Sequence, residues 1–209
     1  MRPGRSDRGQ AFTIEGITAS LVLLMAVLMA VQAVVVTPTT RGTVDEDVRS
    51  NLRQQADDVL ALSATAPGAD LSSLVRYWEP SGRTFAGADN PRVGYGLDAP
   101  PTRFGTLLAE TFTQRGYLFN VEVVYRTDTP GETGRLTMVR RGYPDENAVV
   151  ASRTVTLYDD DTLTGPESGA ATLAEYDTDL TDGDDGYYPI PDAVEGPVYN
   201  VVEVRVVVW

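Results

Sequence analysis

The sequence predicts an α+β chain: a long N-terminal transmembrane and amphipathic helix followed by a small antiparallel β-sheet domain. Three observations lead there. Residues 17–36 run for twenty positions without a charge. Apolar residues then recur at helical spacing between positions 44 and 60. The C-terminal half changes to a period of two, in stretches rich in β-branched and aromatic residues. A length of 209 residues allows one domain plus an anchor.

The uncharged run fixes the first element. Twenty helical residues rise about 30 Å, the thickness of a bilayer's hydrocarbon core. Ahead of it, Arg2, Arg5 and Arg8 outweigh Asp7. The positive-inside rule therefore places the start in the cytoplasm and everything past Val36 outside. This predicts a basic cytoplasmic leader over residues 1–9, a transmembrane helix over 10–36, a break over 37–43 and an acidic outer domain over 44–209. The expected location is the cell membrane, single-pass. A conventional cleaved signal is the competing reading, but its apolar region usually spans only ~7–15 residues and ends in an Ala-x-Ala-like site. Val31-Gln32-Ala33 matches that poorly.

Arg8-Gly9-Gln10, then Phe12-Thr13-Ile14-Glu15, then a long apolar helix, resembles the class III signal of type IV pilins, particularly archaeal ones. The resemblance covers about the first forty residues. It implies a pilin-like fold and a prepilin peptidase cutting between Gly9 and Gln10 on the cytoplasmic side. It also implies that the helix stays on the mature protein and packs against other pilin-like subunits. The family's acidic residue corresponds to Glu15, which is sixth from Gln10, one place beyond its usual position. Glu15 has two readings. At the edge of the apolar run it reaches headgroup water and suits the first turn of a helix. The resemblance implies instead that it pairs with the freed amine of a neighbouring subunit and sets the register of assembly.

The outer part is read in chain order. Pro38 and Gly42 interrupt the helix. Thr43 with Glu46 three residues on forms a capping box, and Val44, Val48, Leu52, Ala56, Val59 and Leu60 give an amphipathic helix ending near Pro67-Gly68. Asp70 caps a short helix over 71–78. Thr102 caps another, with Phe104, Leu107, Leu108 and Phe112 on one face and Gly116 at its end. Residues 80–101 between them read as loop. Strands are expected over 117–126, 135–141, 148–158 and 198–209, with Thr129-Pro130-Gly131 as a hairpin connection. Val202, Val204, Val206 and Val208 alternate with Glu203 and Arg205, which predicts one buried sheet face and one partly wet face.

Charge and composition narrow the chemistry. There are 30 acidic against 17 basic residues, a net charge of -13, and every basic residue is Arg. An acidic, Lys-free chain reads as adaptation to high salt, where repulsion between carboxylates is screened; a Lys content lost by drift is the alternative. Nucleic acid is not expected as a partner, because no Arg cluster is present to hold phosphates. The absence of Cys excludes disulfides and thiolate metal sites, and the absence of His removes the commonest general base.

Twelve acids and no Arg lie between residues 159 and 195. Asp177, Asp179, Asp182 and Asp184 invite a calcium reading, since carboxylates on a Gly-bent loop suit a hard cation. The sixth position from Asp177 is Asp182 rather than Gly and the twelfth is Tyr188 rather than Glu, so this is no EF-hand. A solvated acidic loop explains the same residues. No nucleotide-binding loop, nucleophile elbow or zinc motif occurs, so neither an enzyme nor a cofactor is expected. The functional expectation is a pilin-like, membrane-anchored structural subunit of a cell-surface filament or secretion apparatus, with membrane lipid, a prepilin peptidase and like subunits as partners. The alternative is an uncleaved signal-anchor protein with a partner-binding outer domain.

Overall fold

The computed structural model describes the backbone of residues 6–32, 40–65, 70–166, 168–178 and 186–209, and the side chains of these except 6–12, 30–32 and 40–45. The chain divides into two compact units, Met1–Val44 and Asp45–Trp209.

The first unit is built on helix α1, Ser6–Gln32. Among the described residues no helix is long and apolar enough to cross a membrane. This corrects the transmembrane helix expected over 10–36 and, with it, the fold class as first drawn and the single-pass location that rested on that helix. The physical reason is length. Of the uncharged run, the described helix carries residues 17–32, about 24 Å at 1.5 Å per residue against the ~30 Å required. The turns that extend it N-terminally include Asp7, Arg8 and Glu15. The remaining positions of the run, 33–36, and the start of the leader, 1–5, lie outside the described residues. The α+β class itself stands, on the second unit.

Helix α2 spans Thr40–Ala64. It begins ahead of the capping box expected at Thr43, so Gly42 lies within the helix rather than in a break. Leu52, Ala56, Val59 and Leu60 are buried at the spacing of one helical face. Val48, expected on that face, is exposed. Helix α3 is shorter than expected, Leu71–Val75, with the Asp70 carboxylate accepting from Ser73 N at 2.7 Å. Trp78 is not helical. It opens β1 (Trp78–Glu79), which pairs with β2 (Thr84–Phe85), and the two aromatic rings meet edge-to-face at 5.4 Å. Helix α4, Arg103–Thr111, starts at the expected cap, Thr102, and presents Phe104 and Leu108 inward. Position 105 must be glycine, because a Cβ there would stand 2.0 Å from the Pro100 carbonyl oxygen.

Four strands form the main sheet: β3 Phe119–Arg126, β4 Thr133–Val139, β5 Val149–Tyr158 and β6 Val198–Val208. Their order is β4-β3-β6-β5, antiparallel throughout. The β3–β4 hairpin turns at Thr129-Pro130-Gly131 as expected, with Glu132 N donating to Thr129 O at 3.0 Å. Val202, Val204, Val206 and Val208 are fully buried, whereas Val201, Glu203, Arg205 and Val207 on the other face are partly exposed. The buried face joins Val121, Val123, Phe119 and residues of α2, α3 and α4 in one core. Asn200, fully buried at the start of β6, satisfies its amide by donating to Arg126 O and Pro191 O and accepting from Arg126 N.

Two cations brace this unit. Arg76, mostly buried, donates to Thr162 O at 2.6 Å and stands 3.5 Å from the Asp161 carboxylate. Arg141 stacks 4.0 Å over the Phe119 ring and donates to Thr113 Oγ1 and Asp98 O.

Candidate assembly surface

Helix α1 carries ten large apolar side chains between Ile14 and Met29, each between 51 and 75 % exposed. They lie on every side of the helix, because Leu21, Val22, Leu23 and Leu24 are consecutive and successive residues turn by 100°. Single exposed apolar residues need no explanation, but a contiguous surface of this kind marks an interaction site.

Two hydroxyls on this helix are quiet ones. Thr18 Oγ1 donates to Ile14 O at 2.9 Å and to Glu15 O at 3.0 Å, and Ser20 Oγ donates to Gly16 O at 2.7 Å. These hydroxyls turn back onto their own helix, so they enter an apolar environment without losing a hydrogen bond to water. Small residues open one side. Glu15, Thr18, Ala19, Val22, Leu23 and Ala26 line a shallow groove, and Gly16 has nothing near the place a Cβ would occupy. Close helix packing uses such small-residue faces. Glu15 is the first of these residues in chain order.

The other predicted site residues fare unequally. Gly9 and Gln10 fall within the helical span of α1, but their side chains lie outside the described residues, as do Asp179, Asp182 and Asp184 altogether. Asp177 is described. Its backbone forms a parallel bridge to Tyr187, donating to Gly186 O and accepting from Tyr188 N at 3.0 Å. No group of three or more carboxylates suited to a metal occurs among the described residues. Among the described acids of that region, Asp159 has a distinctive setting. One of its oxygens is buried without a partner, and burial, then Asp192 and Asp160, raise its pKa above the ordinary carboxylate value. Glu175 shifts the other way, held down by hydrogen bonds from the Thr172 backbone and hydroxyl.

Sequence reasoning did not single out the groove residues Thr18, Ala19 and Ala26. Their signal was the small-residue spacing inside the apolar run, which hydropathy alone averages away. The Arg141–Phe119 stack left no local signal, because the partners are twenty-two positions apart and meet only through the fold.

The chain belongs to a family of unknown function, DUF7288, whose match covers residues 8–208. No curated protein and no solved structure matches it.

Proposed function

We propose that this chain is a pilin-like structural subunit of a cell-surface filament or secretion apparatus, not an enzyme, and that helix α1 is the element through which copies assemble. The observation that carries this reading is the all-round exposure of ten large apolar side chains on α1. Each would gain about 1.5–3 kcal/mol on full burial. Lipid or like helices supply that cover, and the back-bonded hydroxyls of Thr18 and Ser20 do not resist it. The acidic second unit faces the outside, where its excess of carboxylates holds water and cations.

The family-like signal supports a processing step as well. A prepilin peptidase would cut between Gly9 and Gln10, removing three Arg and one Asp, and Glu15 would then sit near the new N-terminus. The test is the N-terminal residue and intact mass of the protein taken from its native envelope. A chain starting at Gln10 is expected, and Gly9→Phe should leave the leader attached and block assembly. A native chain still carrying residues 1–9 would overturn the processing step, and a full-length protein that stays monomeric without detergent would overturn the whole reading.

A further inference from the structure

Strand β5 is the outermost strand on its side of the sheet, and two independent observations fix which of its backbone groups face outward. Leu118 and Trp209 exchange both N–H···O bonds, at 2.9 and 3.0 Å. Residues alternate along a strand, so Val202, Val204 and Val206 of β6 turn their backbone groups toward β5. These stand opposite Val155, Arg153 and Ala151, which are therefore the β5 residues bonded to β6. Val150, Ser152, Thr154 and Thr156 must aim N–H and C=O away from the sheet. The second observation agrees: Arg53 Nε donates to Val150 O at 3.2 Å from outside the sheet.

The open stretch is bounded at both ends. Arg53 occupies Val150 O, and Tyr158 N donates to Asp161 Oδ2 at 2.9 Å. Between them Ser152, Thr154 and Thr156 present three N–H and three C=O groups with no partner among the described residues. The opposite edge, β4, is closed at its C-terminal end, where Tyr95 N donates to Met138 O and Gly94 bridges Val139. Of the usual guards of an edge, β5 carries only one charge, that of Arg153. It has no Pro, its one irregularity lies at its end between Leu157 and Tyr158, and in a chain with 30 acids it contains none.

We propose that β5 is a homotypic docking edge, pairing antiparallel with β5 of a second copy across a two-fold axis at Thr154. The bounded stretch is centred on Thr154, so this register sets Thr154 opposite itself and Ser152 opposite the second copy's Thr156. All six open backbone groups of each copy then find a partner. Charge weighs against one neighbouring register: the proposed one places Arg153 opposite Val155, whereas a slip that puts Ser152 against Thr154 would set Arg153 against Arg153. The edge itself carries no carboxylate, so two copies of this acidic chain meet there without setting acid against acid. The pairing is isologous, as a closed dimer contact requires, and does not depend on the role given to α1.

The chain lacks Cys, so an introduced thiol reports this contact without background. In the full-length protein in detergent under mild oxidation, Thr154→Cys should give a disulfide-linked dimer at least five-fold more abundant than Arg153→Cys gives. Ser152→Cys combined with Thr156→Cys should also cross-link. Adding Thr154→Pro, which removes only an outward N–H, should abolish that cross-link with the thermal melt unchanged. Thr154→Asp, which keeps the backbone and sets like charges across the axis, should do the same. No cross-link at Thr154, equal cross-linking at Arg153, or a cross-link that survives both the Pro and the Asp change would overturn the proposal.

Discussion

Helix α1 and strand β6 are made of the same side chains and come to opposite ends. Leu21, Val22, Leu23 and Leu24 are each more than half exposed, while Val202, Val204, Val206 and Val208 are fully buried. What separates them is pattern rather than hydrophobicity. In β6 every second residue is apolar and the intervening Glu203 and Arg205 keep one face wet, so the rest of the domain can cover the other. In α1 the apolar residues go all the way round, and no single neighbour can cover them. A patterned segment completes its burial within its own domain; an unpatterned one leaves apolar surface on every side.

Deleting residues 202–209 should break the comparison most severely. β6 is hydrogen-bonded on both sides, to β3 and to β5, so the sheet would lose its middle and the cooperative transition seen by circular dichroism should disappear. A truncated chain that still melted in one sharp step would contradict the topology. Next in size is a matched pair. Phe119→Ala removes a fully buried ring and should cost about 3–5 kcal/mol in denaturant unfolding. Leu23→Ala, on α1, should leave that transition where it was. Leu23→Glu should likewise leave it in place but alter sedimentation of the assembled protein.

Arg76→Ala should cost about 2 kcal/mol, because it strips a hydrogen bond from Thr162 O and an ion partner from the partly buried Asp161. The smallest effect sharpens the electrostatic side. Asp159 has its pKa raised in the fold, so the protonated form is the one the fold favours. Its wild-type contribution is fully present below the ordinary value of 3.8 and is lost as pH rises through the raised value. Asp159→Asn should therefore raise the melting temperature at pH 7, with the gain vanishing below about pH 3.8. Glu175 has the reverse sign: Glu175→Gln should lower the melting temperature at pH 7 and have little effect once acid has protonated the carboxylate in both states.

Much of the second unit was legible in its residues because it rests on local rules. The caps at Asp70 and Thr102 acted where a short polar side chain precedes an apolar run, and the four strands fell where period two is strongest. The turn at Pro130-Gly131 needed only the chemistry of those two residues. The errors lie where a distant partner decides. Trp78 left the expected helix because Phe85 and Tyr187 offered its ring and indole N–H a better place, the latter donating to Tyr187 O at 2.8 Å. Nothing near position 78 announces that. The strand order β4-β3-β6-β5 was equally hidden, since it depends on which edges meet after collapse. At the candidate site, the apolar character of α1 and the position of Glu15 could be read directly. That no described helix is long and apolar enough to cross a membrane could not be read from the uncharged run alone.

The place of β6 also governs when this protein can exist as a folded object. It is the last strand in chain order, yet it lies between β3 and β5, which precede it by some eighty and fifty positions. While the ribosome is still making the preceding loop, the β3–β4 hairpin has no neighbour on its other side and β5 has none at all. Closing such long loops is slow, and the edges remain open meanwhile. The second unit therefore keeps open strand edges until residues 198–208 have left the ribosome, however early its helices form.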